Sequence, residues 1–238
     1  MNNSIELDIY KYINHQNREL FKKLSQVYDI HLYLNPELSS WCSDNNLPII
    51  RTPKDDGNIS SFTHELLHIY LDYLGITSKD FIHKNILSVN VLLSLKRLLY
   101  DHIYNVSCHK KMYPFFKGMG FDEMDFVQRN GCFFSQFDFF IICLCKRLNI
   151  CSKFWTSQFI GNTISLMNDV VGYRELQNRK FLYKLSQLDR DLYRVLYLFD
   201  SKWSKQEDLD CSSNFKELSD GLLNWLMKNN MIKNPILF

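Results

Sequence analysis

Two histidines and a glutamate near residue 65 have the types and the spacing of a metal-dependent hydrolytic site. The segment from Ser60 to Gly75 reads SSFTHELLHIYLDYLG, in which His64, Glu65 and His68 form an HExxH pattern. Residues four apart lie one turn apart on the same face of a helix, so both imidazoles can bind one Zn²⁺ ion. Glu65 lies at the edge of that face, where its carboxylate can take a proton from a water molecule that the metal activates. The pattern therefore predicts zinc-dependent hydrolysis with Glu65 as the base.

The rest of this helix is apolar, which places its polar stripe inside the protein. His64, His68 and Asp72 fall on one stripe, and the other positions from Leu66 to Leu74 are apolar or aromatic. A helix that is apolar on nearly all sides is buried, so its polar stripe faces the interior. We expect Asp72 to orient one of the metal-binding histidines. The alternative is a helix whose histidines are hydrogen-bonded within the core and bind no metal.

A second helix must supply the third ligand, and three residues compete for that position. Asp101 and His109 lie on a polar stripe of the long apolar segment that follows the motif, whereas His102 lies among its apolar residues. Two buried helices that meet polar stripe to polar stripe enclose a metal ion. We predict Asp101 as the third ligand, with His102 and His109 as alternatives. His109 is better suited to donate a hydrogen bond to the oxyanion of the reaction. Further candidate donors to the oxyanion are Tyr100, Tyr104 and Tyr113.

These residues resemble the zincins, the metallopeptidase superfamily built around HExxH. Two β-like runs, then THELLH, then a further helix are similar to the compact bacterial metallopeptidase domains of the ImmA/IrrE type, over roughly residues 28–125. The resemblance implies that His64 and His68 are zinc ligands and that Glu65 is the general base. It also implies that the substrate is a protein or peptide.

The sequence departs from two branches of that superfamily. Leu71 and Leu74 stand where metzincins have a glycine and a third histidine. Gluzincins, including the ImmA/IrrE type, take a glutamate ligand from the next helix, but no glutamate occurs between Glu65 and Glu123. A third ligand on the second helix must then be an aspartate or a histidine.

The elements before the motif are predicted to be one helix and two short strands. Residues 4–27 have the periodicity of an amphipathic helix. The runs YDIHLYLN and LPIIRTP are typical of strands, and KDDGN is typical of a turn. Ser60 or Ser61 is predicted to cap the motif helix, and Gly75 to end it in a left-handed conformation.

Everything after the motif is predicted to be helical. The segment from Ser78 to Tyr113 is long for one helix, so we predict a break near Asn85 and a stop at Pro114. Further helices are predicted at 133–149, 153–169, 173–200 and 213–230. The fold is therefore predicted to be mainly α (α+β), with a small sheet or hairpin packed on the motif helix and a second ligand-bearing helix. A metallopeptidase domain at 1–125 would be followed by a helical region at 126–238 that packs on it.

Composition points to a soluble cytoplasmic protein. The chain has 238 residues and a net charge of +2, which makes no case for nucleic acid or an anionic membrane as the main partner. Its seven cysteines are odd in number and include no CxxC, which favours reduced thiols. The start of the chain has no signal-peptide pattern, and the longest apolar stretch, CFFSQFDFFIICLC, is too short to span a bilayer.

Two functions are compatible with these features. The first is a zinc-dependent hydrolase, a protease that cleaves a protein substrate with the help of Glu65. The second is a binding or regulatory module that keeps the HExxH fold without turnover and acts through its helical C-terminal half. Metal content separates the two in part, because a catalytic zinc site keeps one position for water.

Overall fold

The computed structural model describes residues 5–44, 47–75, 93–126, 136–147, 152–169, 175–205 and 212–229. These residues form nine α-helices and one small sheet of four strands. The prediction of a mainly α (α+β) fold is therefore confirmed. None of the described helices is long and apolar enough to cross a membrane.

The chain divides into two compact units. The first consists of Met1–Lys79 and Lys111–Gly131, and the second of Asp80–Lys110 and Cys132–Phe238. The sheet and the motif helix belong to the first unit, and the second unit is helical wherever it is described. The domain division after residue 125 stays a prediction.

The sheet of the first unit is small and mixed. Its strands are β1 (Ile5–Glu6), β2 (His31–Leu34), β3 (Cys42–Ser43) and β4 (Ile49–Thr52). Their order is β1-β2-β4-β3, in which β2 and β4 are parallel and the two outer pairs are antiparallel. Leu32 and Ile50 pair across the centre, and both are fully buried. The strands predicted in YDIHLYLN and LPIIRTP are thus confirmed, and they form the centre of the sheet.

The predicted helix over residues 4–27 is wrong for most of its length. Helix α1 covers only Arg18–Ser25, and β1 and a 3-10 turn at Ile9–Tyr12 precede it. The side chain of Asp8 accepts a hydrogen bond from the backbone N–H of Tyr10 (3.1 Å), and that of Asn14 accepts one from the N–H of Gln16 (2.8 Å). Short polar side chains that bind nearby backbone groups compete with a helix. The apolar periodicity of this segment did not reveal that competition.

The motif helix, α2, covers Ile59–Tyr73. Its N-cap is Asn58, whose side chain accepts a hydrogen bond from the N–H of Ser61 at 3.0 Å. The prediction of Ser60 or Ser61 as the cap is therefore wrong, because Asn58 supplies the acceptor and the helix begins one residue later. Gly75 follows the last turn with a φ of +68°, which confirms the predicted left-handed end.

A long helix and a short one follow the motif. They are α3 (Leu93–Gly118) and α4 (Glu123–Phe126). Pro114 does not stop α3, which continues to Gly118. Met112 and Phe116, on either side of the proline, are fully buried, and this packing holds the helix together across the missing N–H group. The predicted break near Asn85 lies outside the described residues.

Five further helices are described in the second unit. They are α5 (Gln136–Arg147), α6 (Ser152–Met167), α7 (Glu175–Leu188), α8 (Arg190–Lys205) and α9 (Ser212–Lys228). The segment predicted as helical over 173–200 is helical where it is described, but it is divided into two helices at Asp189. The carboxylate of Asp189 accepts a hydrogen bond from the N–H of Leu192 at 3.0 Å and caps α8.

Candidate functional site

Helix α2 holds all three residues of the HExxH pattern in the interior. His64 and Glu65 are each 5% exposed, and His68 is 7% exposed. The helix packs against α1, β3, β4 and α4. Next to the motif, the Oγ1 of Thr63 accepts a hydrogen bond from the Nδ2 of Asn17 at 2.9 Å. The motif therefore lies on a helix that is fixed by packing on several sides, as its apolar composition predicted.

The two imidazoles of the motif are neighbours, and an aromatic ring covers one of them. The ring centroids of His64 and His68 lie 5.3 Å apart. Phe126, from α4, lies 4.9 Å from the ring of His64 and is 2% exposed. An apolar wall of this kind keeps water from one side of the histidine pair and lowers the local dielectric.

His109, on α3, completes a group of three imidazoles. The candidate ligand nitrogens of His64, His68 and His109 all lie within 4.8 Å of one another. Desolvation, and to a smaller extent the nearby His102, lowers the pKa of His109 to about 4. An imidazole with so low a pKa is neutral at physiological pH, which is the form that binds a metal ion.

Three imidazoles are a donor set that fits Zn²⁺. Catalytic zinc sites use three protein ligands, sets of three histidines among them, and keep the fourth position for water or substrate. The group of His64, His68 and His109 offers one nitrogen from each residue. The residue types and the distances between their ligand nitrogens therefore suit one Zn²⁺ ion.

Burial and Ser43, of strand β3, both affect the pKa of the Glu65 carboxyl, and Ser43 acts through its hydroxyl and its backbone N–H. Burial raises the pKa of Glu65 to about 7, although the two hydrogen bonds from Ser43 act in the opposite direction. A carboxyl group whose pKa lies near neutrality can both accept and return a proton. Sequence reasoning missed Ser43, which lies twenty-two positions before Glu65 in a two-residue strand without a recognisable pattern.

The structure describes only one of the two side chains, His102 and Asp101, that compete with His109 as the third metal ligand. The Nε2 of His102 lies 2.7 Å from the Oγ of Ser165 and 3.0 Å from the carbonyl oxygen of Gly161, both on α6. This histidine is thus hydrogen-bonded within the helical unit. The side chain of Asp101 lies outside the described part of the structure, so its role as the third ligand stays a prediction.

The other predicted participants stay predictions as well. Asp72 is half-buried on α2, one turn after His68. The hydroxyl of Tyr113 donates to the carboxylate of Glu123 at 2.6 Å, so its proton is directed at that side chain. The side chains of Tyr100 and Tyr104 lie outside the described residues.

No family model, no curated protein and no solved structure matches this chain. The resemblance to zincins, and to the ImmA/IrrE type among them, stays a prediction from the HExxH pattern. The candidate site rests on its own geometry: a buried motif on α2, with His109 close to its two histidines.

Proposed function

We propose that this protein is a metal-dependent hydrolase that binds Zn²⁺ through His64, His68 and His109. The observation that carries the proposal is the approach of three imidazole nitrogens within 4.8 Å of one another. Glu65, which follows His64 in the chain, is buried as well. A bound Zn²⁺ ion supplies Lewis acidity, which acidifies water and polarises a carbonyl oxygen. The proposal takes His109 as the third ligand, because its ring nitrogen lies within 4.8 Å of those of His64 and His68.

Glu65 moves the proton in this proposal. Its carboxylate accepts a proton from the attacking water molecule as the new C–O bond forms, and it gives that proton to the nitrogen that leaves as the C–N bond breaks. Burial raises the pKa of Glu65, which makes its carboxylate a stronger base for the first step. Phe126 limits access of water to His64, which strengthens the electrostatic interactions inside the site.

The proposed substrate is a protein or peptide, and this part of the proposal is supported by the resemblance to zincins. The proposed location is the cytoplasm, which is supported by the cysteines. Those whose state is described are free thiols: Cys42, Cys108, Cys143 and Cys145. Reduced cysteines are typical of cytosolic proteins.

Elemental analysis of the protein, purified without chelator, tests the metal site. We expect near one zinc ion per chain in the wild type, and its loss in His64→Ala and in His109→Ala. His102→Ala is the matched control, because it removes a histidine of the same helix that is hydrogen-bonded to α6. Loss of zinc in Asp101→Ala with retention in His109→Ala would overturn the proposed third ligand. A wild type that takes up no zinc, even after reloading, would overturn the hydrolase and favour a binding module.

The variant Glu65→Gln tests the reaction. It keeps the size of the side chain and one acceptor oxygen but cannot accept a proton at neutral pH. We expect it to retain its zinc and to lose hydrolysis of a denatured protein or a peptide library by a factor of roughly 100 or more. Undiminished hydrolysis in this variant would contradict the role of Glu65.

A further inference from the structure

An open groove of the first unit lies beside the end of helix α1. Its volume is about 560 Å³, and it is lined by residues of β1, the 3-10 turn, α1 and the start of β2, all between Glu6 and His31. Tyr10 and Val27, both in this lining, are 74% and 59% exposed. Small-molecule pockets enclose most of their ligand, and walls as exposed as these do not. The groove is therefore shaped for a segment of a longer chain that lies along it.

More than half of the lining residues are apolar or aromatic, and neighbouring rings hold the aromatic ones in place. Tyr10 packs edge-on against Phe21, with ring centroids 6.3 Å apart. Tyr28 packs edge-on against Tyr73 of α2, with centroids 6.4 Å apart. Aromatic rings attract apolar groups through the area that they bury, and they attract cations through the negative charge of their faces. The lining thus favours an apolar segment that also carries a positive charge.

Two carboxylates and an imidazole form the charged part of the lining. The Nδ1 of His31 lies 2.7 Å from Oε1 of Glu6, and its Nε2 lies 3.2 Å from Oδ2 of Asp29. An imidazole whose two nitrogens both face carboxylates is protonated, because both nitrogens must donate. Among the described residues no lysine or arginine pairs with either carboxylate, and Lys23 of α1 donates to the hydroxyl of Tyr70 at 3.3 Å instead. The three groups therefore keep a net negative charge, which a cationic group of a ligand complements.

Strand β1 also presents main-chain groups next to the groove. As far as the described residues go, it is the outermost strand of the sheet, at the edge opposite to β3. The N–H of Leu7 donates to the carbonyl oxygen of Leu32 at 2.8 Å, so Leu7 faces β2. Main-chain groups of successive residues in a strand point in opposite directions, so those of Glu6 face away from β2. Outward-facing groups of this kind can pair with the main chain of another segment.

We propose that this groove binds a segment of another protein that carries a lysine or arginine beside apolar residues. The cationic head group pairs with the carboxylates of Glu6 and Asp29. The apolar neighbours lie on the rings of Tyr10, Phe21 and Tyr28. None of these residues belongs to the proposed metal site, so the groove can bind its partner whether or not the protein is a hydrolase.

A peptide array tests the proposal without a known partner. Its pentapeptides have lysine, arginine, acetyl-lysine or glutamate at the centre and vary at every other position. We expect the wild type to retain lysine and arginine peptides with apolar flanks. The double variant Glu6→Gln, Asp29→Asn should lose that preference, because it keeps acceptors for His31 but not the negative charge. Glu37→Gln is the matched control, since Glu37 is exposed and does not line the groove.

A wild type without a preference for basic peptides would overturn the proposal, and so would the same preference in the double variant. Either result would leave the proposed metal site untouched.

Fluorescence anisotropy of the lysine peptide that binds best separates charge from apolar contact. Acetylation of its lysine should weaken binding roughly tenfold or more, because the charge-assisted bonds are lost. Tyr10→Ala should weaken binding as well, whereas Tyr183→Ala, which removes a similarly exposed tyrosine of the second unit, should not. His64→Ala should bind the peptide like the wild type. Undiminished affinity for the acetylated peptide would contradict the role of the carboxylates, and loss of binding in His64→Ala would place the peptide at the metal site instead.

Discussion

Glu65 is a carboxyl group almost entirely removed from water. Burial disfavours the charged form, and this raises its pKa from 4.5 to about 7. In the absence of a metal ion, ionisation of this buried carboxyl lowers the free energy of unfolding. The group that we propose as the base therefore has a cost that can be measured in the metal-free protein.

The free energy of unfolding should reveal this cost as a dependence on pH. Below about pH 4.5 the carboxyl is protonated in both states, so its contribution to stability is fully present. As the pH rises through about 7, the folded state must ionise a group that the unfolded state has already ionised, and that contribution is lost. The loss is on the order of 3 kcal/mol.

Urea unfolding of metal-free wild type and Glu65→Gln, across this pH range, checks the prediction. Glutamine does not titrate, so the difference between the two curves isolates the glutamate. The stability of the wild type should fall relative to the variant as the pH rises. Parallel curves would show that the pKa of Glu65 is not raised in the folded protein.

At the scale of elements, helices α8 and α9 approach each other closely at a glycine. A Cβ atom at Gly221 would lie 2.8 Å from Cγ1 and 3.2 Å from Cγ2 of Val195. Atoms of real side chains do not come so close, and valine is stiff at χ1. The glycine inside α9 is therefore explained by the packing of the two helices, despite its low helix propensity.

Gly221→Ala should lower the free energy of unfolding by about 1–3 kcal/mol, because the added methyl group overpacks the contact. The loss outweighs the gain of up to about 1 kcal/mol that alanine brings to a helix. Chemical denaturation measures the difference. Gly118→Ala is the control, since nothing lies within 4 Å of the added Cβ, and it should not destabilise the protein.

A second substitution tests whether Val195 causes the destabilisation expected in Gly221→Ala. Val195→Ala removes the two methyl groups that the new Cβ would meet. Combined with Gly221→Ala, it should cost less than the sum of the two single substitutions. Strict additivity would show that Val195 is not the source of the strain.

For the molecule as a whole, each compact unit has a core of its own. In the first unit, fully buried side chains come from the sheet and the motif helix: Leu32, Ile50, Phe62, Leu66 and Leu67. In the second, Trp203 is 1% exposed, donates its Nε1–H to the carbonyl oxygen of Ser107 at 2.9 Å, and packs against Phe199 and Phe215. Metal binding adds to stability only if it is specific to the folded site.

Zinc that binds the folded protein and not the unfolded chain should stabilise the protein by mass action. At a free concentration one hundred times the Kd, the gain is about 2.7 kcal/mol, or roughly 5–10 °C in Tm for a chain of this size. Thermal unfolding with zinc and with chelator measures the shift. His64→Ala should unfold at the same temperature in both, and an equal shift in that variant would place the bound zinc elsewhere.

The sequence by itself determined the features that depend on neighbours along the chain. Burial of the motif helix follows from its apolar composition between Leu66 and Leu74, and its left-handed end follows from Gly75. The two central strands follow from β-branched and aromatic runs bounded by turn residues. Local periodicity misled at residues 4–27, where side chains such as Asn14 bind the backbone and prevent a helix.

Only the tertiary structure decided which distant residues meet at the site. His109 lies close to His64 and His68, although forty-one positions separate it from the second of them. Strand β3 packs against α2 and pairs with β4 at the edge of the sheet, and nothing in the local sequence marks that pairing. Such contacts depend on how strands and helices pack, and a pattern of residue types along the chain does not encode that packing in a readable form.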